Sequence, residues 1–299
     1  MAQGPTIFDR KLLRERQRRA RTRGAATFLL DHAATELAER LAAVVRQFDV
    51  AVDLGTPTDA LRRALAGSAQ IGTLIAAAPA AAALGERGLR VAADEEALPF
   101  ADGALDLVVS ALALQWVNDL PGTLVQIRRA LKPDGLLLAA MLGGDSLMEL
   151  REAFAAAESE IEGGLSPRVA PFADLRDLGG LMQRAGFALP VVDSDRLTVR
   201  YDSALALMRD LRAMGATNVL AERRRAPLRR ATLQRVAEIY AERFADPDGR
   251  VRATFEIAWL LGWSPHASQQ KPLKPGSAAR RLADALGTQE IPAGEKTGR

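Results

Sequence analysis

The chain has 299 residues, 48% of them apolar, which predicts a globular fold with one main domain and some additions. It contains no cysteine, which excludes disulfides, thiol catalysis and cysteine-ligated metals, and its two histidines disfavour a histidine metal site or a catalytic triad. The net charge is only +3, but the basic residues are 35 arginines against 5 lysines and they occur in clusters.

Two helices are predicted before the first strand. Residues 7–23 place four apolar residues among a run of arginines, and residues 25–48 repeat leucine and valine at helical spacing. We interpret the arginine run as a solvent-exposed helix face, with attraction to an acidic protein partner or to phosphate as the alternative. No aromatic residues alternate with the arginines, which disfavours single-stranded nucleic acid as a ligand.

From Phe48 onward, predicted strands alternate with predicted helices. The first helix begins near Thr58 and ends at Gly67, a second short helix ends at Gly85 or Gly88, and a third follows the fourth strand. The strands are predicted at 48–55, 69–77, 88–94, 104–114 and 135–141, the last after a Lys-Pro-Asp-Gly turn. This order predicts an α/β fold with a doubly wound, mostly parallel sheet, which binds ligands at the carboxyl ends of its strands.

The pattern changes after Met141. The expected elements are a helix over 146–160, a loop rich in Gly, Ser and Pro, a helix over 173–187, two strand pieces around Asp193–Asp195, helices over 203–244 broken at Pro227, and a last strand over 251–263. The predicted organisation is a helical extension at 1–48, an α/β domain at 49–264 with a lid-like insertion at about 145–172 and a helical insertion at about 203–245, and a mostly disordered tail at 265–299 with a turn of helix near 278–286.

A nucleotide-like ligand in such a sheet requires a glycine turn after the first strand, a carboxylate after the second and polar groups after the third. Gly55 is present, but Thr56, Pro57 and Thr58 stand where further glycines are expected. The second strand offers Thr73 or Ile75 in place of a carboxylate. Asp94, followed by Glu95 and Glu96, meets the third requirement.

The stretch from Asp94 to Arg151, with its LPF and KPDG motifs, resembles class I adenosylmethionine-dependent methyltransferases. The chain is more similar to the family of the methyltransferase-like complex I assembly factor of mitochondria and its alphaproteobacterial relatives than to the malonyl-carrier-protein methyltransferase of biotin synthesis. The motifs that carry this resemblance are IFDR at 7–10, EGGLSPRVAPF at 162–172, DLGGLMQRAGF at 177–187, and GW with HASQ between 262 and 269.

The resemblance implies a seven-stranded Rossmann-like sheet and, for the family's best-described member, hydroxylation of an arginine in a complex I subunit. It also implies cofactor contacts at Asp53, Gly55, Thr73, Asp94, Glu95 and the segment Ala111–Trp116, in which Gln115 and Trp116 face the ligand. Alternatives remain for several of these side chains. Asp94 is otherwise a solvated turn residue, and Trp116 is otherwise ordinary core packing.

Two residues are candidates for substrate contact. Asp145 follows two glycines at the end of the fifth strand, where it is either a substrate-facing acid or a helix N-terminal residue. Arg168 and the basic cluster at 223–230 either bind an acidic partner or are solvated surface. No general base is assigned, because methyl transfer to a nucleophilic acceptor needs little acid–base help.

The two departures from the methyltransferase pattern predict weakened adenosylmethionine binding. Loss of a charge-assisted ribose contact costs about 2–3 kcal/mol, and an obstructed turn costs about as much again. Together they reduce affinity on the order of a thousandfold. Adenosylmethionine is the cofactor that the resemblance implies, and we expect this chain to bind it weakly. No metal is expected.

Three functions remain open from the sequence. The first is a methyltransferase-like enzyme that modifies a protein substrate, such as a complex I subunit, or assists its assembly. The second is a non-catalytic assembly factor that has lost adenosylmethionine binding, and the third is a carrier-protein or nucleic-acid methyltransferase. No apolar run approaches about 18 residues and no signal core is present, so a cytoplasmic bacterial protein is expected.

Overall fold

The computed structural model describes residues 6–79, 88–270 and 282–289. Its elements are α1 (Arg10–Thr22), α2 (Phe28–Ala42), β1 (Phe48–Leu54), α3 (Ala60–Ala64), β2 (Ile71–Ala78), β3 (Leu89–Ala92), β4 (Leu105–Ala111), a 3₁₀ turn (Leu114–Trp116), α4 (Leu120–Ala130), β5 (Leu131–Leu142), α5 (Met148–Glu162), α6 (Leu175–Arg184), β6 (Ala188–Tyr201), α7 (Ala204–Ala213), α8 (Arg230–Phe244), β7 (Val251–Trp263) and α9 (Leu282–Leu286).

The seven strands form one sheet in the order β3-β2-β1-β4-β5-β7-β6. Strands β1 to β5 are parallel, and β7 runs antiparallel between β5 and β6. The predicted doubly wound, mostly parallel, seven-stranded sheet is therefore confirmed. The chain order reverses between β1 and β4, so the ends of these two strands border the crevice where such sheets bind ligands.

Both faces of the sheet are covered by helices, as the continuous apolar runs of its parallel strands require. One core packs residues of α2, α5 and α8, such as Leu37 and Tyr240, against the sheet. The opposite core packs residues of α4 and α6, such as Leu124 and Leu178, against the other face. The sheet is thus buried in its centre, and its carboxyl edge is left to the loops and to α1.

Three sequence expectations are corrected by the fold. Strand β2 ends at Ala78, one residue from its predicted end, so Thr73 and Ile75, which were expected at the position of the ribose carboxylate, lie inside the strand and not at its end. The Lys-Pro-Asp-Gly segment, expected as a turn before the fifth strand, lies inside β5. Asp134 adopts a φ of +64° there and the register against β4 shifts, so the segment bends the strand without ending it. The two pieces around Asp193–Asp195 form one strand, β6, because an edge strand with one exposed face accepts alternating acids.

Two further expectations concern parts of the chain that are described only incompletely. The short helix expected before Gly88 lies outside the described residues. In the predicted tail, residues 266–270 and 282–289 are described and contain α9. One compact unit extends to Pro265, and a second begins at His266. Among the described helices, none is long and apolar enough to cross a membrane.

Candidate functional site

The turn after β1 depends on Gly55. Its φ of +74° lies in the left-handed region that glycine adopts readily. A Cβ at this position would lie 2.7 Å from Oε1 of Glu95 and 3.0 Å from the Cβ of Ala113. Gly55 therefore gives room for a carboxylate that follows β3, and the first and third strand ends meet here as the sequence predicted.

The residues that replace the expected glycines have structural contacts instead. Thr56 is buried, and its Oγ1 accepts a hydrogen bond of 3.1 Å from the backbone amide of Ala111 at the end of β4. The carbonyl of Pro57 accepts a hydrogen bond of 3.2 Å from Arg21 of α1. The turn is thus tied to β4 and to α1, and Ala111 contributes a backbone contact at the predicted strand end.

Asp53, at the end of β1, is almost completely buried. Its Oδ2 accepts a hydrogen bond of 2.6 Å from Arg62, while its Oδ1 has no hydrogen-bond partner among the described residues. Burial raises the pKa of Asp53 to about 6, and the hydroxyl of Thr56 and the guanidinium of Arg62 offset this only in part. Asp53 is buried beneath the turn and does not belong to the described walls of the cavities beside it.

Three consecutive carboxylates, Asp94, Glu95 and Glu96, follow β3 and are called the acidic cluster below. Arg10 of α1 forms ion pairs with all three, at 2.8 Å for Glu96, and donates hydrogen bonds to Asp94 and Glu95. Arg14 pairs with the other oxygen of Asp94. The cluster therefore encloses a guanidinium supplied by the chain itself.

The electrostatics of this contact differ from group to group. Burial by itself would lower the pKa of Arg10, but the nearby carboxylates outweigh it and raise that pKa. At Asp94, burial is outweighed by hydrogen bonds from the Glu96 amide and from Arg10 and Arg14, so the pKa is lowered. At the more deeply buried Glu95, burial dominates over Arg10 and raises the pKa. Burial acts on both Asp94 and Glu95, but only at Glu95 does it outweigh the favourable contacts.

Helix α1 covers the place where the cofactor of this fold would lie. The cavity between Arg10, Gln17, Gly55 and Glu95 measures about 30 Å³, whereas small-molecule pockets typically measure about 300–1,000 Å³. The adenine-side acids are already paired with α1. In this arrangement α1 and its arginines leave little space for adenosylmethionine among the described residues beside Gly55.

A second cavity, of about 80 Å³, lies at the ends of β4 and β5 and is lined mostly by apolar side chains. Gln115 donates a 2.8 Å hydrogen bond to the carbonyl of Leu112, and its buried Oε1 has no hydrogen-bond partner in the described part of the chain. Trp116 packs edge to face with Phe8 at 5.5 Å and with Phe172 at 5.9 Å. Both predicted residues line this cavity, and Trp116 also belongs to a packed aromatic cluster.

The three remaining predicted residues lie outside this centre. Thr73 is exposed and pairs with Val50 early in β1, so it is not at the ribose position, because β2 ends five residues later at Ala78. Asp145 is half-exposed, forms an ion pair with Arg196 and precedes α5. These positions do not converge with Gly55.

Arg168 is buried against α5. Its Nε donates a 2.7 Å hydrogen bond to Glu158, and its guanidinium lies 5.8 Å from the centre of the Phe154 ring. This pairing is a structural contact and leaves little of the side chain, 14%, exposed. The interpretation of Arg168 as solvated surface is therefore wrong, and its guanidinium is already engaged by Glu158.

The role of the arginines in α1 was not predicted from the sequence. The run was interpreted as a solvent-exposed face, but Arg10, Arg14 and Arg21 all line the small cavity beside Gly55. Their spacing of four and seven residues places them on one helix face together with the buried Leu13, a signal present in the sequence.

Among the described residues, no group of three or more His, Cys, Asp or Glu could hold a metal ion.

The methyltransferase-domain family matches residues 48–139. Two solved structures share the fold at low identity. A candidate methyltransferase of Bacillus halodurans has a TM-score of 0.54 at 16% identity, covering 78% of this chain and 99% of that one, and YcgJ of Bacillus subtilis has 0.53 at 15%, covering 79% and 100%. These likenesses show the fold alone.

Similarity to sequences is more specific. The chain is 39% identical to arginine-hydroxylase NDUFAF5, mitochondrial, of Danio rerio, over 94% of this chain and 90% of that protein, and 41% identical to the Homo sapiens protein, over 91% and 81%. A malonyl-[acyl-carrier protein] O-methyltransferase of Laribacter hongkongensis is 44% identical over only 62% of this chain and 60% of that protein. Because the first similarity spans nearly both chains, this protein belongs to the arginine-hydroxylase NDUFAF5 family, built on the class I methyltransferase fold.

Proposed function

We propose that this chain is a cytoplasmic bacterial protein that modifies an arginine side chain of a protein partner, with a respiratory complex I subunit as the candidate. The observation that carries the proposal is the acidic cluster, which holds a guanidinium at the carboxyl edge of the sheet. Carboxylates arranged around a planar guanidinium provide the charge-assisted hydrogen bonds that distinguish arginine from other side chains. The names of the relatives support the same substrate class.

The modification proposed is hydroxylation, as the relatives are named, with dioxygen and a two-electron reductant as co-reactants. One oxygen atom enters a C–H bond of the arginine, and the other leaves as water with the two electrons and two protons. The acidic cluster would bind and orient the guanidinium, so Arg10 occupies the position of a substrate arginine in this conformation. Substrate binding then requires Arg10 to leave the cluster.

The test is a co-expression experiment in which a tagged candidate subunit is isolated and its arginines are analysed by mass spectrometry. A mass gain of one oxygen atom on one arginine supports hydroxylation, whereas a gain of one methylene group shows methyl transfer. The Glu95→Gln variant should reduce the modified fraction at least tenfold. An Asp102→Asn variant, which changes an exposed carboxylate paired with Arg129, is the control for lost charge.

A second candidate is the non-catalytic assembly factor. It is favoured by the small cavity beside Gly55 and by the structural contacts of Thr56 and Pro57. Its signature would be a partner that copurifies with no change in mass. A thermal-shift titration tests the cofactor directly, since a ligand at about a hundred times its Kd stabilises by about 2.7 kcal/mol. A shift of that size at millimolar adenosylmethionine would contradict the lack of space described above.

A further inference from the structure

A groove lined by arginines lies between α1 and α7, away from the acidic cluster. Its volume is about 570 Å³, and its walls include Arg16 and Arg19 from α1, Arg23 directly after α1, and Arg209 and Arg212 from α7. These five residues define the basic groove. The spacing within each helix, of three or four residues between neighbours, aims the arginines at the same side.

The charge of the basic groove is not neutralised by neighbouring acids. Arg19, Arg23, Arg209 and Arg212 are exposed, and none forms an ion pair with a carboxylate among the described residues. The groove lining that the structure describes contains no Asp or Glu. Elsewhere in the described chain, some exposed arginines, such as Arg200, pair with two carboxylates. The basic groove therefore brings together four exposed arginines that no described carboxylate pairs with.

Helix ends account for only part of this arrangement. Both α1 and α7 end beside the groove, and each helix carboxyl end carries about half a negative charge. The two helix ends together offset about one of the five arginine charges, so roughly four positive charges remain. Burial lowers the pKa of Arg16, and the charges of Arg223, Arg19 and Arg212 lower it further, although the charge of Asp9 opposes them. An anionic ligand would relieve the repulsion between these arginines.

The basic groove opens beside an apolar cavity. This apolar cavity has a volume of about 230 Å³ and shares Arg212, Thr217 and Asn218 with the basic groove. Its other walls include Phe154, Met208, Phe172 and Trp116. A ligand that crosses from the groove into this cavity would thus have acidic groups at one end and an apolar group at the other, and would reach Trp116 at the candidate site.

We infer that the basic groove and the adjoining apolar cavity form a docking site for an acidic segment of a protein partner that carries a large apolar side chain. Arg16 and Arg23 are seven residues apart, which is roughly 10 Å at the rise of a helix. This distance matches about three residues of extended peptide. A protein segment is favoured over nucleic acid because the described lining of the basic groove contains no aromatic side chain for base stacking. This surface is separate from the acidic cluster and goes beyond the proposed modification.

The test measures binding of fluorescent peptides to the full chain by anisotropy. The probe is a peptide of about ten residues, rich in Asp and Glu with one central Leu. The groove variant Arg19→Gln/Arg209→Gln/Arg212→Gln is compared with the control Arg176→Gln/Arg184→Gln/Arg243→Gln, which removes the same charge from other exposed positions. The expected result is a Kd at least tenfold weaker for the groove variant and changed less than twofold for the control.

Further arms decide the class of partner. Replacing the central Leu of the probe by Ser should weaken binding at least threefold, and binding to the wild type should weaken as salt is raised. Equal losses in both triple variants, no binding of the acidic peptide, or an unchanged Kd with the Ser peptide would each overturn the inference. Tighter binding of an oligonucleotide of equal charge than of the peptide would also overturn it. Unfolding midpoints of the variants, equal to that of the wild type, ensure that the comparison concerns folded protein.

Discussion

At the residue scale, Asp53 makes stability depend on pH. Its folded-state pKa of about 6 lies above the ordinary value of 3.8, so the folded protein binds this proton more tightly than the unfolded chain. Its contribution is most favourable below the ordinary value and is lost as pH rises through about 6. The difference of 2.2 units corresponds to about 3 kcal/mol.

The Asp53→Asn variant isolates this contribution, because asparagine cannot ionise. The free energy of unfolding of the wild type, relative to the variant, should fall by about 2.4 kcal/mol between pH 4 and pH 7, since part of the contribution is already lost at pH 4. Denaturant titrations at several pH values measure the difference. A difference that stays constant with pH would show that Arg62 fully compensates the buried carboxylate.

Gly55 offers a second prediction at a single position. The Gly55→Ala variant should destabilise the fold by about 2–4 kcal/mol, because a left-handed alanine costs about 1–2 kcal/mol and its Cβ must displace Glu95. Gly67→Ala is the matched control, since Gly67 has a φ of +83° but no atom within 4 Å of the added Cβ. Equal losses in the two variants would mean that Glu95 moves aside without cost.

At the scale of elements, the contact between α1 and the acidic cluster determines how the N-terminal helix is held. Arg10→Ala should cost about 3–5 kcal/mol, since it leaves the buried Glu95 without its partner. Arg14→Ala should cost at most about 1 kcal/mol, because Arg14 is more exposed and, within the described part of the chain, forms an ion pair with Asp94 alone. Urea unfolding measures both losses.

A double variant separates pairing from packing in this contact. If Arg10→Ala destabilises the fold by leaving the Glu95 carboxylate buried without a partner, then combining it with Glu95→Gln should regain part of the lost stability. Losses that simply add would show instead that α1 is held by its apolar contacts, chiefly Leu13 and the aromatic pair of Phe8 with Trp116.

At the scale of the whole molecule, stability should be distributed unevenly. Among the described residues of α1, only Leu13 and Ala20 are buried, whereas β1, β4 and β5 are buried along most of their length. Amide hydrogen exchange in α1 should therefore be at least tenfold faster than in these central strands. Exchange measured by mass spectrometry checks this, and equal protection would mean that α1 opens only with global unfolding.

Such local opening bears on the proposed function. Arg10 and the acidic cluster separate when α1 moves, which frees the carboxylates for an arginine of the partner. The basic groove includes α1, so a partner docked there contacts the helix that has to move. We therefore expect binding at the basic groove to be coupled to the opening of α1.

The site could be predicted from the sequence only where it depends on short-range pattern. Gly55 and the acids after β3 were located correctly, because glycine and carboxylates at strand ends have recognisable spacing. Thr73 was assigned wrongly because the ribose position follows the last residue of β2, whereas Thr73 pairs with Val50 five residues before that end. Arg10 was missed because its partners lie more than eighty residues away in the chain.

The amino-acid sequence by itself determined the doubly wound sheet, its helical layers and the family, since these follow from local periodicity and from motifs spread along the chain. Only the tertiary structure decided that α1 lies over the glycine turn, that Arg10 fills the acidic cluster, and that the arginines of α1 and α7 form one groove. The physical reason is that ion pairs and grooves form between elements, where their geometry depends on packing rather than on sequence separation.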